Sequence, residues 1–162
     1  MTNRIGQGID AHKLEAGIPL IIGGVSIPYS MGSKGHSDGD VLYHAIVDAI
    51  LGALALGDIG KHFPSDDEQF KGVNSKKFLK HVQALIKEKG YIVANIDATV
   101  ILQEPKLRTY ISKMQQNIAS ILIISNDSVS VKATTTDHLG FTKHGDGIAA
   151  IAVVLLSKID GN

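Results

Sequence analysis

Acidic and histidine side chains lie within an otherwise apolar stretch, residues 35–50 (GHSDGDVLYHAIVDAI). Asp40, His44 and Asp48 recur every four residues, which places them on one side of a predicted helix. The other side carries apolar residues: Val41, Leu42, Ala45, Ile46, Ala49 and Ile50. A buried carboxylate or imidazole costs free energy unless it is hydrogen bonded, paired or bound to a metal. The pattern therefore predicts partners for this polar stripe.

A purely structural interpretation of the same stretch is also open. Ser37 or Asp38 would cap the helix, acids near its start would interact favourably with the helix dipole, and Asp48 would satisfy a buried His44. One histidine beside one acid does not distinguish this interpretation from a ligand site.

A second polar group lies near the amino terminus. Asp10 and His12 are two residues apart in a predicted strand, so their side chains point to the same face. With His44 they would form an Asp, His, His set that suits zinc and leaves a fourth position open for substrate. Asp48, one turn beyond His44, would orient an imidazole. The separation of His12 and His44 in sequence does not establish proximity, so the structural interpretation stays open.

The stretch 132–149 (KATTTDHLGFTKHGDGIA) combines hydroxyls, a carboxylate and a glycine-rich turn. Such groups suit a diphosphate with a divalent cation. The alternative is a threonine-rich strand end followed by a solvated turn. By contrast, the GQG at 6–8 is too short for a dinucleotide fingerprint.

Composition limits the class of protein. The chain has 162 residues, of which 44% are hydrophobic, and we expect one domain over residues 1–162. Its formal net charge of zero gives no general attraction for nucleic acid or an anionic membrane, and we expect neither as a partner. The chain has no cysteine, which leaves Asp, Glu and His as metal ligands. Without a signal sequence or a run of membrane length, we expect a soluble cytoplasmic protein.

Periodicity and turn residues predict an α/β or α+β fold, with a single mixed β-sheet covered by helices on one face. The first helix is predicted to end near Gly57, and a helix with Asn74 or Ser75 as its cap follows a loop. Pro105 is predicted to open a later helix. The predicted strands cover 4–10, 19–28, 93–103, 129–136 and 148–156, the loop covers 57–72, and the later helices cover 74–90 and 104–121.

Several motifs carry a resemblance that extends from end to end of the chain. They are, in order, RIGQGIDAH, IIGGVSIPY, HSDGDVLYHAIVDAILGALALGDIGKHFP, KGVNS, EPK and KATTTDHLGFTKHGDGIA. Together they resemble the 2-C-methyl-D-erythritol 2,4-cyclodiphosphate synthase family of the non-mevalonate isoprenoid pathway. The resemblance implies a cyclase for a cytidine diphosphate substrate, in which the substrate's own 2-phosphate attacks the β-phosphorus and CMP leaves. Positioning and charge neutralisation would then be the protein's contribution.

The resemblance also implies roles for individual residues. Asp10, His12 and His44 match the zinc ligands, and Asp137 matches the ligand of a magnesium or manganese ion that bridges the phosphates. His36 and Thr135 match catalytic positions. The positions that match substrate contacts are Ser37, Asp58, Ile59, Gly60, Phe63, Pro64, Ser65, Asp66, Asp67, Leu102, Gln103, Glu104, Pro105, Lys106, Leu107, Arg108, Thr134, Thr136, Phe141 and His144.

Members of this family form homotrimers whose active sites lie between subunits, so the resemblance implies the same here. The sequence departs from the family pattern at Asp137 and Asp146, where Glu is usual, and at His144, where Arg is usual. FPSDD also replaces the common FPDTD. Two other functions remain open from the residues alone: a zinc phosphohydrolase, which would use a bound hydroxide, and a non-catalytic nucleotide-binding module.

Overall fold

The computed structural model describes residues 2–159, so the outermost residues of the predicted 1–162 domain lie outside the described part. The described chain forms a five-stranded sheet and a two-stranded hairpin, with helices packed on the larger sheet. The strands are β1 (Asn3–Ala16), β2 (Leu20–Ile22), β3 (Val25–Ile27), β4 (Met31–Ser33), β5 (Tyr91–Ile101), β6 (Val129–Thr134) and β7 (Gly147–Lys158). The helices are α1 (Val41–Ala53), α2 (Ile59–His62), α3 (Lys76–Glu88) and α4 (Ile111–Leu122), with 3-10 turns at Glu68–Phe70, Asn126–Ser128 and Gly140–Thr142.

The strand order of the large sheet is β4-β1-β7-β5-β6. Strands β5 and β6 run parallel, whereas the other neighbouring pairs are antiparallel. The predicted mixed sheet of an α+β fold is confirmed, and the β2–β3 hairpin lies outside that sheet.

Helix α1 is the centre of the core. It packs on β1 and β7 on one side and on α3 on the other, so that Val41 through Val47 are all buried. Helix α3 is amphipathic and buries Phe78, Leu79 and Val82 against this core. This explains why the residues around His44 are apolar on most sides: the helix is enclosed by the sheet and by α3.

The opposite face of the large sheet is open in the single chain. Along β1, buried glycines alternate with Ile5 and Ile9, which are 73% and 59% exposed. Val153 on β7 lies opposite Gln7 in the register and is 42% exposed. These apolar side chains form a surface that the helices do not cover.

Four sequence-based predictions about element boundaries were wrong, of which three concern the first half of the chain. The predicted strand over 19–28 is a hairpin, because Gly23 and Gly24 adopt φ values of 58° and 70° at its turn. Helix α1 is capped by Asp40, whose side chain accepts from the Tyr43 amide, and not by Ser37 or Asp38. The predicted loop over 57–72 contains the short helix α2.

The helix predicted to begin at Pro105 begins at Ile111 instead. Residues 102–110 form an irregular segment in which Leu102 and Leu107 are buried, so packing of these two side chains overrides the local preference for a helix start. Over residues 2–159, none of the helices has the length and apolar character needed to cross a membrane.

Candidate functional site

Asp10, His12 and His44 form a cluster that could hold a metal ion. His12 Nε2 lies 2.8 Å from Asp10 Oδ2, and His44 Nδ1 lies 2.9 Å from the same oxygen. The two ring nitrogens are 3.4 Å apart. Ligands at about 2.0–2.1 Å from a tetrahedral zinc ion stand about 3.3 Å from one another. The three donor atoms therefore need only small adjustments to fit such an ion.

Strand β1 and helix α1 position these ligands. The alternation of β1 directs Asp10 and His12 to the face that packs on α1, as the two-residue spacing predicted. His44 lies one turn into α1, whose first turn is fixed because the Asp40 carboxylate accepts from the amides of Gly23, Gly24 and Tyr43. Burial raises the pKa of Asp40 to about 6, although these amide hydrogen bonds oppose that shift.

The electrostatics of the cluster favour an ionised carboxylate. Burial alone would raise the pKa of Asp10, but hydrogen bonds and charge from His12 and His44 outweigh burial and hold the pKa well below its usual range. Burial would lower the pKa of His12, and the hydrogen bond and charge of Asp10 reverse this, so the pKa is raised. Asp10 therefore keeps its negative charge beside the two imidazoles, and that charge can attract a cation to the cluster.

The outer nitrogen of His44 contacts Ser75 and Ser37, not Asp48. Asp48 Oδ1 accepts from the Ile59 amide at 2.7 Å and thereby anchors the start of α2. Ser75 Oγ lies 2.8 Å from His44 Nε2 and is hydrogen bonded in turn to Asp38. The expectation that Asp48 orients the imidazole is therefore corrected. Sequence reasoning assigned both Ser75 and Asp38 to helix caps and missed this contact.

A cavity of about 230 Å³ opens beside the cluster. His12 and His44 contribute to its wall, together with aromatic rings of which Phe63 and Phe78 are stacked at 4.3 Å. Six residues predicted from the resemblance to contact phosphate or substrate lie in the same wall: His36, Ser37, Ile59, Gly60, Phe63 and Ser65. Phe70 and Phe78 also line the cavity, without having been predicted.

Other predicted residues of this region support the cavity's rim. Asp58 caps α2 by accepting from the Lys61 amide at 2.9 Å. The Asp67 carbonyl oxygen lies 3.2 Å from His36 Nε2, and the Asp67 side chain caps the following 3-10 turn. Asp66 is exposed and Pro64 is half-buried, and neither is among the residues that line the cavity.

A second cavity, of about 410 Å³, lies at the β5–β6 edge of the sheet. It is formed between the segment that follows β5, the start of α4 and the end of β6. The predicted residues in its wall are Leu102, Gln103, Pro105, Lys106, Leu107, Arg108, Thr134 and Thr135. Two exposed cations, Lys106 and Arg108, are thus placed beside threonine hydroxyls, a combination suited to an anionic ligand. Glu104 is exposed and does not line this cavity.

Gln103 connects the segment that follows β5 to the segment that follows β6. Its Nε2 donates to Thr136 Oγ1 at 2.9 Å and to the buried Thr142 Oγ1 at 3.0 Å. Beyond Thr136, Asp137 has a φ of 52° and receives a hydrogen bond from Thr135 Oγ1 at 3.2 Å. Phe141 and His144 are exposed in the turn that follows.

The two cavities share no lining residue in the single chain. In the sheet register, His12 pairs with Ile148, and Ile101 pairs with both Ala149 and Thr134, so His12 and Thr134 lie near the same end of the sheet. Strands β1 and β6 are separated by β7 and β5, which places them about 14 Å apart at the usual strand spacing. Within one chain, the two cavities are therefore next to strands that are not neighbours in the sheet.

A mixed α+β domain with an Asp, His, His cluster beside one cavity, and with threonine hydroxyls and two cations at a second cavity, favours an enzyme that uses a metal ion on an anionic small molecule. The chain belongs to the YgbB family, whose model matches residues 3–157. Two similar relatives are named 2-C-methyl-D-erythritol 2,4-cyclodiphosphate synthase. They come from Geobacter metallireducens and Alkaliphilus oremlandii, and each is 59% identical over 155 residues, or 96% of this chain and 99% of the relative.

Solved structures share the fold. The bifunctional IspDF of Campylobacter jejuni superposes with a TM-score of 0.94 at 43% identity, covering 98% of this chain, which spans 43% of that protein. IspF of Plasmodium falciparum, solved as a CDP complex, superposes with a TM-score of 0.87 at 38% identity, covering 98% of this chain and 97% of that one. The resemblance found in the sequence motifs is confirmed.

Proposed function

We propose that this chain converts 4-diphosphocytidyl-2-C-methyl-D-erythritol 2-phosphate to 2-C-methyl-D-erythritol 2,4-cyclodiphosphate and releases CMP, a step of isoprenoid biosynthesis. The observation that carries the proposal is the Asp10, His12, His44 cluster, which opens onto a cavity large enough for the acyclic phosphorylated part of this substrate. The names of relatives that match nearly the whole chain support the same activity.

The family is metal-dependent, and we assign zinc to the cluster because one carboxylate and two imidazoles suit it. Asp10 Oδ2, His12 Nε2 and His44 Nδ1 would be the ligand atoms. A zinc ion held there would act as a Lewis acid on the β-phosphate. The protein's own part is to hold the 2-phosphate in line for attack, and we assign this role to His36 and Ser37, which line the cavity.

The second cavity is the proposed site for the cytidine. Its wall is mostly apolar, as a base requires, with Lys106 and Arg108 available for the phosphates. Thr135 is the proposed phosphate contact, and Asp137 is the proposed ligand of a magnesium or manganese ion. Because Asp137 is one methylene shorter than the Glu usual in the family, coordination through water would satisfy such an ion.

We further propose that three chains assemble around the exposed sheet face, so that each active site combines the zinc half of one subunit with the cytidine half of a neighbour. Ile5, Ile9 and Val153 supply an apolar surface of the kind that sheets bury against partners. The separation of the two cavities within one chain supports the same arrangement. Sedimentation analysis of the purified protein tests the predicted trimer directly.

Incubation of the purified protein with the cytidylated methylerythritol phosphate substrate tests the activity. Chromatography should detect CMP and the cyclic diphosphate in equal amounts, with no inorganic phosphate. Release of inorganic phosphate instead would identify a phosphohydrolase, and substrate binding without turnover would identify a nucleotide-binding module. His44→Ala is the matched control, because it should remove the tightly bound metal and the CMP release while the circular dichroism spectrum stays that of the parent.

A further inference from the structure

A chain of hydrogen bonds extends from the proposed metal centre into the protein. Ser75 is fully buried, and its Oγ lies 2.8 Å from His44 Nε2. The same hydroxyl is hydrogen bonded to Asp38 Oδ1, and the Ser75 amide donates to Asp38 Oδ2 at 3.0 Å. Both carboxylate oxygens of Asp38 thus accept hydrogen bonds from Ser75, the residue that contacts His44.

The location of Ser75 gives independent support for a role in the site. Ser75 occupies the N-cap position of α3, where a serine side chain normally accepts from a helix amide. Its side chain makes no such bond, and Asn74 Oδ1 accepts from the Lys76 amide instead, at 2.9 Å. The hydroxyl is directed to His44 and Asp38, so it does not serve the helix.

Hydrogen bonding by these groups favours one tautomer of His44 when the centre holds a metal ion. An ionised carboxylate only accepts, so the single hydroxyl proton of Ser75 goes to Asp38. The Ser75 oxygen is then an acceptor for His44 Nε2–H, with Ser37 Oγ 3.1 Å from the same nitrogen and 3.3 Å from Ser75 Oγ. That tautomer leaves the lone pair of His44 Nδ1 for the metal ion, 2.9 Å from Asp10 Oδ2 and 3.4 Å from His12 Nε2.

We propose that Ser75 and Asp38 are positioning residues of the metal centre, which fix the tautomer and ring orientation of His44 so that Nδ1 is the ligand atom. The inference rests on the metal centre assigned above. Groups that orient a ligating imidazole through its other nitrogen usually change metal affinity when they are removed. Neither Ser75 nor Asp38 is among the residues that line the cavity beside the cluster, so we expect both to act through His44.

Cobalt(II) is a suitable probe, because its visible absorption reports a tetrahedral site without any enzymatic turnover. Dialysed wild-type protein, Ser75→Ala and Asn74→Ala are titrated with cobalt(II). Ser75→Ala should weaken binding by about 10- to 100-fold, as expected for loss of an orienting partner. Asn74→Ala is the matched control, because it removes the polar group that serves the start of α3 and leaves the His44 contact intact.

Asp38→Asn provides a second variant that does not depend on the folding of Ser75→Ala. The hydroxyl and the amide of Ser75 donate to different oxygens of Asp38, and in asparagine one of these oxygens becomes an NH2 donor, so the present geometry keeps only one of the two hydrogen bonds. We expect weaker cobalt(II) binding, with the thermal unfolding temperature of the metal-free protein measured alongside. Affinities equal to wild type in both variants, or an equal loss in Asn74→Ala, would overturn the positioning role. Absence of cobalt(II) binding by wild type would overturn the metal centre itself.

Discussion

Gly8 of β1 packs so closely on α1 that a Cβ at this position would lie 2.1 Å from the Ala45 carbonyl oxygen. Asp10 follows Gly8 on the same face of the strand, and His44 immediately precedes Ala45 in the helix. The close approach of strand and helix therefore brings Asp10 Oδ2 within 2.9 Å of His44 Nδ1. The glycine has a role in building the metal centre, although it contacts no ligand.

Gly8→Ala should consequently destabilise the fold and weaken metal binding together. A methyl group would also lie 2.6 Å from the Ala49 amide nitrogen, so strand and helix must separate. Overpacking of this kind costs about 1–3 kcal/mol and sometimes more. Urea unfolding gives the loss of stability, and cobalt(II) titration of the folded fraction gives the loss of affinity.

Gly52→Ala is the control for this substitution. Gly52 lies in the same helix, and an added Cβ would be 3.8 Å from the Gln7 carbonyl oxygen, an ordinary van der Waals distance. Replacement of a helical glycine by alanine without a clash stabilises by up to about 1 kcal/mol. A Gly8→Ala protein with wild-type stability and metal affinity would show that the close approach is not required.

Two features of the Asp10, His12, His44 cluster could be predicted from local sequence, whereas the full set of three was implied by the resemblance. The two-residue spacing of Asp10 and His12 determines that they share a strand face, and His44 belongs to a recognisable helix. The distance between strand and helix has no such local signal. The strand and helix can approach closely because Gly6 and Gly8 have no side chains. In the sequence alone, the GQG at 6–8 looked only like a fragment of a dinucleotide fingerprint.

The contact to His44 was predicted for Asp48 but is made by Ser75, for a related reason. Helical periodicity correctly placed Asp48 one turn after His44, but it does not determine which element packs beside that turn. The amide of Ile59 takes the Asp48 carboxylate, and the start of α3 brings Ser75 to the imidazole. Such contacts between distant segments depend on tertiary packing, which a single sequence does not specify.

The metal-free protein should show a pH-dependent contribution from Asp10 and His12. The pKa of Asp10 is depressed from 3.8, so its contribution is present above pH 3.8 and is lost as pH falls through the folded-state pKa. The pKa of His12 is raised from 6.5, so its contribution is present below pH 6.5 and is lost as pH rises through the folded-state pKa. Both contributions are complete only between pH 3.8 and 6.5.

Urea unfolding of the chelator-treated wild type and Asp10→Asn measures this contribution across pH. The difference in unfolding free energy should be largest near the middle of that window and should shrink toward alkaline pH. Glu15→Gln is the control, because its ion pair with Lys34 is exposed and should contribute little at any pH. A difference between wild type and Asp10→Asn that does not change with pH would contradict the assigned shifts.

Asp137→Asn should slow the chemical step more than it weakens CMP binding. Asparagine has the same size and tolerates the φ of 52° at this position, so the substitution removes charge and preserves the turn. A cation held by Asp137 would act on the phosphates rather than on the base, so kcat should fall while the dissociation constant of CMP changes little. Steady-state kinetics over a magnesium series provides the measurement, and an unaltered magnesium dependence would exclude Asp137 as the ligand.

A subunit-mixing experiment tests whether each active site is shared. Asp10→Ala should inactivate the zinc half, and Thr135→Ala should inactivate the cytidine half, so each homotrimer should release little or no CMP. If the two proteins are refolded together in equal amounts and mix at random, about a quarter of the interfaces pair two intact halves. CMP release should therefore reappear in the mixture, at about a quarter of the wild-type rate.

The competing arrangement makes the opposite prediction. If both halves of a site came from one chain, every site in every mixed trimer would still carry one lesion, and no mixing ratio would restore activity. Exchange of subunits must be demonstrated separately, by isolating mixed trimers through two different affinity tags. Mixed trimers without CMP release would then reject the shared site, whereas metal binding by the Thr135→Ala chains would leave the Asp10, His12, His44 centre in place.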